Sequence, residues 1–195
     1  MAMTVAVAAA KTEITIVPYP NEITVGKGCF DAKGASFTYD AAMDEPSVNV
    51  VKAFANQLSL VSGAENAVSA GQSDKGFVFA MNAALPSEAY TLDVKPEVVR
   101  VEASSLRGFN YAVQSIKQLL PVEVFAGEPS PKVKWVMPVV KICDQPRFAY
   151  RGMHLDESRH FFGVEEVKRY LDIMEVHKLN KIGRASCRER VCLSV

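Results

Sequence analysis

A chain of 195 residues suits one domain of ordinary size, or one domain and part of another, and 49% hydrophobic residues are enough to bury a core, which excludes a disordered protein. Its 22 basic and 22 acidic residues balance, with no long run of either sign, so there is no electrostatic footprint for nucleic acid or an anionic membrane. No stretch approaches the ~20 apolar residues that span a bilayer, which excludes membrane insertion by a helix.

Met1–Ala10 (MAMTVAVAAA) is small and apolar and ends in three alanines, as a secretory signal peptide does at its cleavage site, but it lacks a basic leader. A frayed, weakly apolar start is expected there, with a clipped signal peptide as the alternative, and the full-length protein is expected to be periplasmic or secreted. Glu13–Val17 (EITIV) is β-branched and runs into Pro18 and Pro20, which predicts a short strand and a turn. Ser36–Tyr39 is a second candidate strand. From Pro46 to Val61 the apolar residues Val51, Phe54, Ala55, Leu58 and Val61 recur at spacings of three and four, predicting an amphipathic helix with Pro46 near its start.

Gly76–Met81, Ala89–Val94 and Val98–Glu102 read as strands separated by Pro86-Ser87 and Pro96-Glu97 turns, and such short connections predict antiparallel hairpins. Gly108–Leu120 returns to helical spacing, with Ala112, Ile116, Leu119 and Leu120 on one side and Pro121 ending it. Val133–Ile142 is apolar but contains Pro138, which confines it to a sheet edge. Residues 11–143 therefore predict an α+β domain: an antiparallel sheet with two helices on one face and no catalytic constellation of its own. Cys29, Cys143, Cys187 and Cys192 form no CxxC pair and have no histidine at ligand spacing, so neither a zinc site nor a redox motif is expected.

The pattern then changes. Tyr150–Leu155 is extended, Phe161-Phe162-Gly163 closes a loop, and Val164–His177 is helical, with Val167, Leu171, Met174 and the stem of Lys178 along one side. Strand, polar loop and helix make the repeat unit of a β/α barrel, whose chemistry sits in the loops after the strands. Asp156, Arg159 and His160 lie at that strand end, where they could support a neighbouring catalytic loop or form a structural salt-bridge network. Asp156 and Glu157 alternate across the strand, so they make a poor acid/base pair. The spacing of His154, Asp156 and His160 does not suit a metal, and His177 reads as packed or surface-exposed.

The segment PRFAYRGMHLDESRHFF, followed by VKRYLDIMEVHKLN, resembles the start of the catalytic barrel of family 20 glycoside hydrolases, the β-N-acetylhexosaminidases. Upstream, IVPYPNEITVGKG, EAYTLDV and GFNYAVQSIKQLLP look like the non-catalytic α+β domain that precedes that barrel. The resemblance covers about Ile16–Lys181. It implies that residues 144–181 are the first strand-helix unit of a truncated TIM (β/α)8 barrel, that the partner is an N-acetylhexosamine-containing glycan, and that no cofactor is used. It also implies that Arg151 holds sugar hydroxyls beside the cleaved bond, although Arg151 is near the start of its strand and barrel sites gather at strand ends. A structural ion pair is the competing reading of Arg151.

The mechanism implied is retaining, with the substrate's own 2-acetamido oxygen attacking the anomeric carbon, an aspartate orienting that amide and a glutamate protonating the leaving oxygen. In the family this pair comes from a later strand, so no catalytic residue is expected here and the chain alone is expected to be inactive. The rival reading is a non-catalytic module that binds a glycan or a protein. Finally, Ile182–Val191 (IGRASCRERV) is encodable as a common sequencing-library adapter read in frame. Residues 182–195 are expected to be artefactual, a genuine basic tail being the alternative.

Overall fold

The coordinates are a computed structural model and describe residues 14–185. The signal-like start, the first residue of the Glu13–Val17 strand, Cys187, Cys192 and residues 186–195 of the tail lie outside the described residues. In chain order the elements are β1 (Glu22–Asp31), β2 (Phe37–Tyr39), α1 (Glu45–Ser62), β3 (Val68–Ala70), β4 (Gly76–Met81), β5 (Tyr90–Val94), β6 (Val98–Ala103), α2 (Leu106–Leu119), a 3-10 turn at Val122–Phe125, β7 (Val136–Asp144), β8 (Gly152–Asp156), α3 (Val164–Val176) and β9 (Lys181–Ala185).

Helix α1 forms where the apolar spacing requires it. Pro46 sits in its first turn, and Gly63 closes it in the left-handed region (φ 67°), donating its N–H to the Ser59 carbonyl. Val51, Phe54, Ala55 and Leu58 of α1 and Phe109, Ala112, Val113 and Ile116 of α2 join alternate residues of the sheet in one buried cluster. Phe37 stacks on Phe77 at 4.5 Å, and Phe54 meets both rings edge-on at 5.4 and 5.6 Å, which ties α1 to the sheet. The intervening strand residues Arg100 and Lys141 are exposed, so the other face of the sheet is wet. The two helices touch one another over the buried face.

The sheet differs from the expected antiparallel one. Its order is β1-β7-β5-β6-β4-β2-β3, with antiparallel pairing from β1 to β6 and parallel pairing from β6 through β4 and β2 to β3. The physical reason is that α1 is a crossover between parallel β2 and β3, while the loop after β4 carries β5 to the far side of β6. The chain turns are short, but they do not all close hairpins.

Three further corrections concern strands. Ile14–Val17 is not a strand: the Val17 N–H donates to Gln118 Oε1 (2.8 Å) and its carbonyl accepts from Gln118 Nε2 (2.9 Å), so one side chain replaces a strand partner. Strand β1, unforeseen in the sequence, is mostly exposed and glycine-bearing, and its register slips between Val25 and Cys29, where Gly28 has φ +104°. Strand β7 is internal rather than an edge. Pro138 lies opposite Cys29, next to that slip, where a missing donor is tolerated.

Beyond the sheet, β8 and β9 pair in parallel with α3 as their crossover, from Gly152↔Lys181 to Asp156↔Ala185. Ile182–Ala185, expected to stand outside the fold, here continues β9. Ladder pairing uses main-chain groups, so these side chains do not oppose it. Of the line expected on α3, Met174 and Lys178 are buried; Val167 is half-buried, Leu171 is exposed, and His177 is a surface residue.

Candidate functional site

The strand-helix unit meets the sheet domain through two basic residues, Arg151, which is half-buried, and Lys178, which is buried. Arg151 immediately precedes β8 and Asn180 immediately precedes β9, and the two are tied by one main-chain hydrogen bond and one to the Asn180 side chain. The Asn180 N–H donates to the Arg151 carbonyl (2.8 Å), and the Arg151 N–H donates to Asn180 Oδ1 (3.1 Å). The side chain of Arg151 is only 13% exposed. Its Nε donates to the Lys178 carbonyl (2.9 Å), Nη1 to the Phe148 carbonyl (2.7 Å) and to Glu88 Oε2 (3.0 Å), and Nη2 to the Tyr111 hydroxyl (2.7 Å). The guanidinium also lies 5.5 Å from the centre of the Tyr111 ring.

Glu88, in the loop before β5, is the acceptor of this cluster. Besides Arg151 it receives Asn180 Nδ2 (3.2 Å), the Tyr111 hydroxyl (3.3 Å) and Arg107 Nη1 (3.4 Å). Burial would raise its carboxyl, but the hydrogen bonds from Arg151 and Asn180 and the charge of Arg151 together hold it below the usual range. Burial likewise opposes the charge on Arg151, and Glu88 and Tyr111 together more than restore it.

The second basic residue is Lys178, which ends α3 in the left-handed region (φ 56°) and is 3% exposed. Its Nζ donates to Asp144 Oδ2 (3.0 Å) and to the Tyr90 hydroxyl (2.9 Å), and lies 4.9 Å from the Tyr90 ring centre. Tyr90 in turn donates to Asp144 Oδ2 (3.0 Å), which leaves Ser115 Oγ, 2.6 Å away, as the donor to Tyr90. Burial lowers the Lys178 ammonium, with Asp144 opposing it, and burial beside Asp144 pushes the Tyr90 phenol up. The end of β7 and the loop before β5 thus supply two carboxylates, and the strand-helix unit supplies two cations to meet them.

The other sequence-singled residues lie at the opposite end of β8. Asp156 Oδ1 accepts from the Ser158 N–H (3.0 Å), Ser158 Oγ (2.5 Å) and the Arg159 N–H (3.2 Å), and the Ser158 hydroxyl is the main reason its carboxyl lies below the usual range. Arg159 Nε stands 3.9 Å from Asp156 Oδ2 and is largely in solvent. His160 turns to Phe162 instead, ring centres 5.0 Å apart. Glu157 pairs with Arg184. Among the described residues no three His, Cys, Asp or Glu side chains come together to hold a metal.

Sequence reasoning missed Glu88, Tyr111, Asp144, Lys178 and Asn180 as parts of one junction. Four of them stand inside EAYTLDV, GFNYAVQSIKQLLP and VKRYLDIMEVHKLN, the segments that carry the family resemblance, and that membership is the one signal the sequence offered for them.

Comparison with known proteins bears on what this junction belongs to. The model for glycosyl hydrolase family 20, domain 2, matches residues 13–145, and that for the family 20 catalytic domain matches residues 148–183. A beta-hexosaminidase of Porphyromonas gingivalis is 32% identical over 174 residues, 86% of this chain but 22% of its own length. The structure of a GH20 beta-N-acetylhexosaminidase from Streptomyces coelicolor A3(2) superposes with TM-score 0.79 at 31% identity, over 87% of this chain and 34% of that one. A Streptomyces plicatus beta-hexosaminidase mutant, solved with GlcNAc as product, gives 0.78 at 30% over the same shares. The chain therefore spans about a fifth of the P. gingivalis relative and a third of these two structures. It belongs to glycosyl hydrolase family 20, matching that family's domain 2 over residues 13–145 and its catalytic domain over residues 148–183.

Proposed function

We propose that this chain is the N-terminal part of a β-N-acetylhexosaminidase, residues 11–143 forming the non-catalytic α+β domain and 144–181 the first strand-helix unit of the catalytic barrel. The complete enzyme removes terminal N-acetylglucosamine or N-acetylgalactosamine from glycans by substrate-assisted retention, in a periplasmic or secreted setting. The observation that carries the reading is the succession of the two family matches, 13–145 and then 148–183, across the junction just described. Relatives named as beta-hexosaminidases and a neighbour holding GlcNAc support the substrate class.

In this reading Arg151 is the chain's glycan contact. A guanidinium has five N–H donors, and the four hydrogen bonds above leave one, on Nη2, for a sugar hydroxyl. Asp156 orders the turn after β8 and stands in no acid/base pair. The Asp-Glu pair that would orient the acetamido group and protonate the leaving oxygen belongs to a later strand, so the 195-residue chain has binding geometry without the reacting groups. An assay on an aryl N-acetylglucosaminide should show no turnover by this chain and turnover by the chain extended through a complete barrel. Turnover by the 195-residue chain that Arg151→Ala abolishes would overturn the inactivity, and an inactive extended chain would overturn the enzyme reading.

A further inference from the structure

Glu88 stands in the loop before β5, in the domain of the seven-stranded sheet rather than in the barrel unit, yet its carboxylate gathers donors from both. Oε2 takes Arg151 Nη1 at 3.0 Å, and Oε1 takes Asn180 Nδ2, the Tyr111 hydroxyl and Arg107 Nη1 at 3.2, 3.3 and 3.4 Å. The Tyr111 hydroxyl gives its one proton to Glu88, so the lone pair it turns toward Arg151 is set by that same carboxylate. Arg151, Tyr111 and Glu88 thus form a closed ring in which each donor has one acceptor.

We propose that Glu88 is a positioning residue: it fixes the Arg151 guanidinium, and so decides which donor the arginine offers to a sugar hydroxyl. The proposal rests on the reading of Arg151 as the glycan contact. An arginine that reaches from the start of its strand has several rotatable bonds, and a misdirected donor forfeits the hydrogen bond. A carboxylate anchored in the preceding domain removes that freedom before substrate arrives. The non-catalytic domain then contributes to binding without touching the glycan. Glu88→Gln keeps the shape but must turn an amide nitrogen toward Arg151 or toward Tyr111 and Asn180, setting donor against donor.

The experiment is a kinetic cycle in the extended, complete enzyme on an aryl N-acetylglucosaminide, with Glu88→Gln, Glu88→Asp, Arg151→Ala and the Glu88→Gln/Arg151→Ala pair. Glu88→Gln is expected to raise KM about tenfold with kcat reduced far less. Glu88→Asp, which retains the charge, should recover part of that loss, and Glu88→Gln should add less than about twofold to KM once Arg151 is gone. An unchanged KM for Glu88→Gln beside a raised KM for Arg151→Ala would overturn the positioning role, as would a full Glu88→Gln effect in the Arg151→Ala background. An Arg151→Ala variant with unaltered KM would instead overturn the reading of Arg151 itself.

Discussion

Lys178 shows how one side chain can carry a junction. Its ammonium is withdrawn from water and met by Asp144 and Tyr90, so removing it strands a carboxylate that is itself 11% exposed. Lys178→Ala should lower the free energy of unfolding by about 3–5 kcal/mol in a urea titration, the usual cost of breaking a buried pair from one side. Lys178→Met combined with Asp144→Asn should recover much of it, because neither remaining group is charged. Glu88 makes a pH prediction. Its folded pKa lies below its unfolded one, so its contribution is complete above the usual glutamate range and is lost as pH falls below about 4 and through the folded value. Acid unfolding followed by circular dichroism should therefore be steeper, and have its midpoint at lower pH, in the parent than in Glu88→Gln, which starts from the lower stability. Neither residue announced itself in the sequence. Glu88 and Arg151 are 63 positions apart and Asp144 and Lys178 are 34 apart, and no local pattern reports such partners.

Among the elements, α2 depends on a close approach. A Cβ on Gly108 would stand 2.5 Å from the Ala89 carbonyl oxygen and 2.8 Å from Ala103 Cβ, so glycine is what lets the helix lie against β5 and β6. In an open helix, glycine to alanine gains up to about 1 kcal/mol. Here the contact reverses the sign, and Gly108→Ala should destabilise by about 1–3 kcal/mol, read from the thermal midpoint. The helices were legible because apolar spacing is a property of the chain itself. Strand β1 was not, since its residues are mostly exposed and its place comes from pairing with β7. Pro138 misdirected the reading of β7 for the same reason: the slip in β1 that accommodates it is a feature of the neighbour.

At the scale of the molecule, the seven-stranded sheet has a closed core, whereas the strand-helix unit does not. Phe161 and Val164 are 79% and 69% exposed, Tyr150, Leu171 and Ile173 are exposed too, and α3 buries Met174 alone. Polar contacts tie the unit to the sheet domain: Arg151 and Asn180 on Glu88, Lys178 on Asp144, and Gln118 donating to the Val176 carbonyl. Amide exchange should consequently be far faster across β8, α3 and β9 than across β4 to β7, and light scattering should show association rising with concentration. Equal protection of both parts in a monomer would contradict this.

By itself the sequence determined the helices, most of the strands and, through PRFAYRGMHLDESRHFF and its upstream companions, the family. Those are statements about side chains in a row, which periodicity and motif preserve. The mixed order of the sheet and the ring of Glu88, Tyr111 and Arg151, with Asn180 as a further donor to Glu88, were decided only by tertiary structure. Main-chain pairing is nearly indifferent to residue type, and a charge finds its partner through the path of the whole backbone.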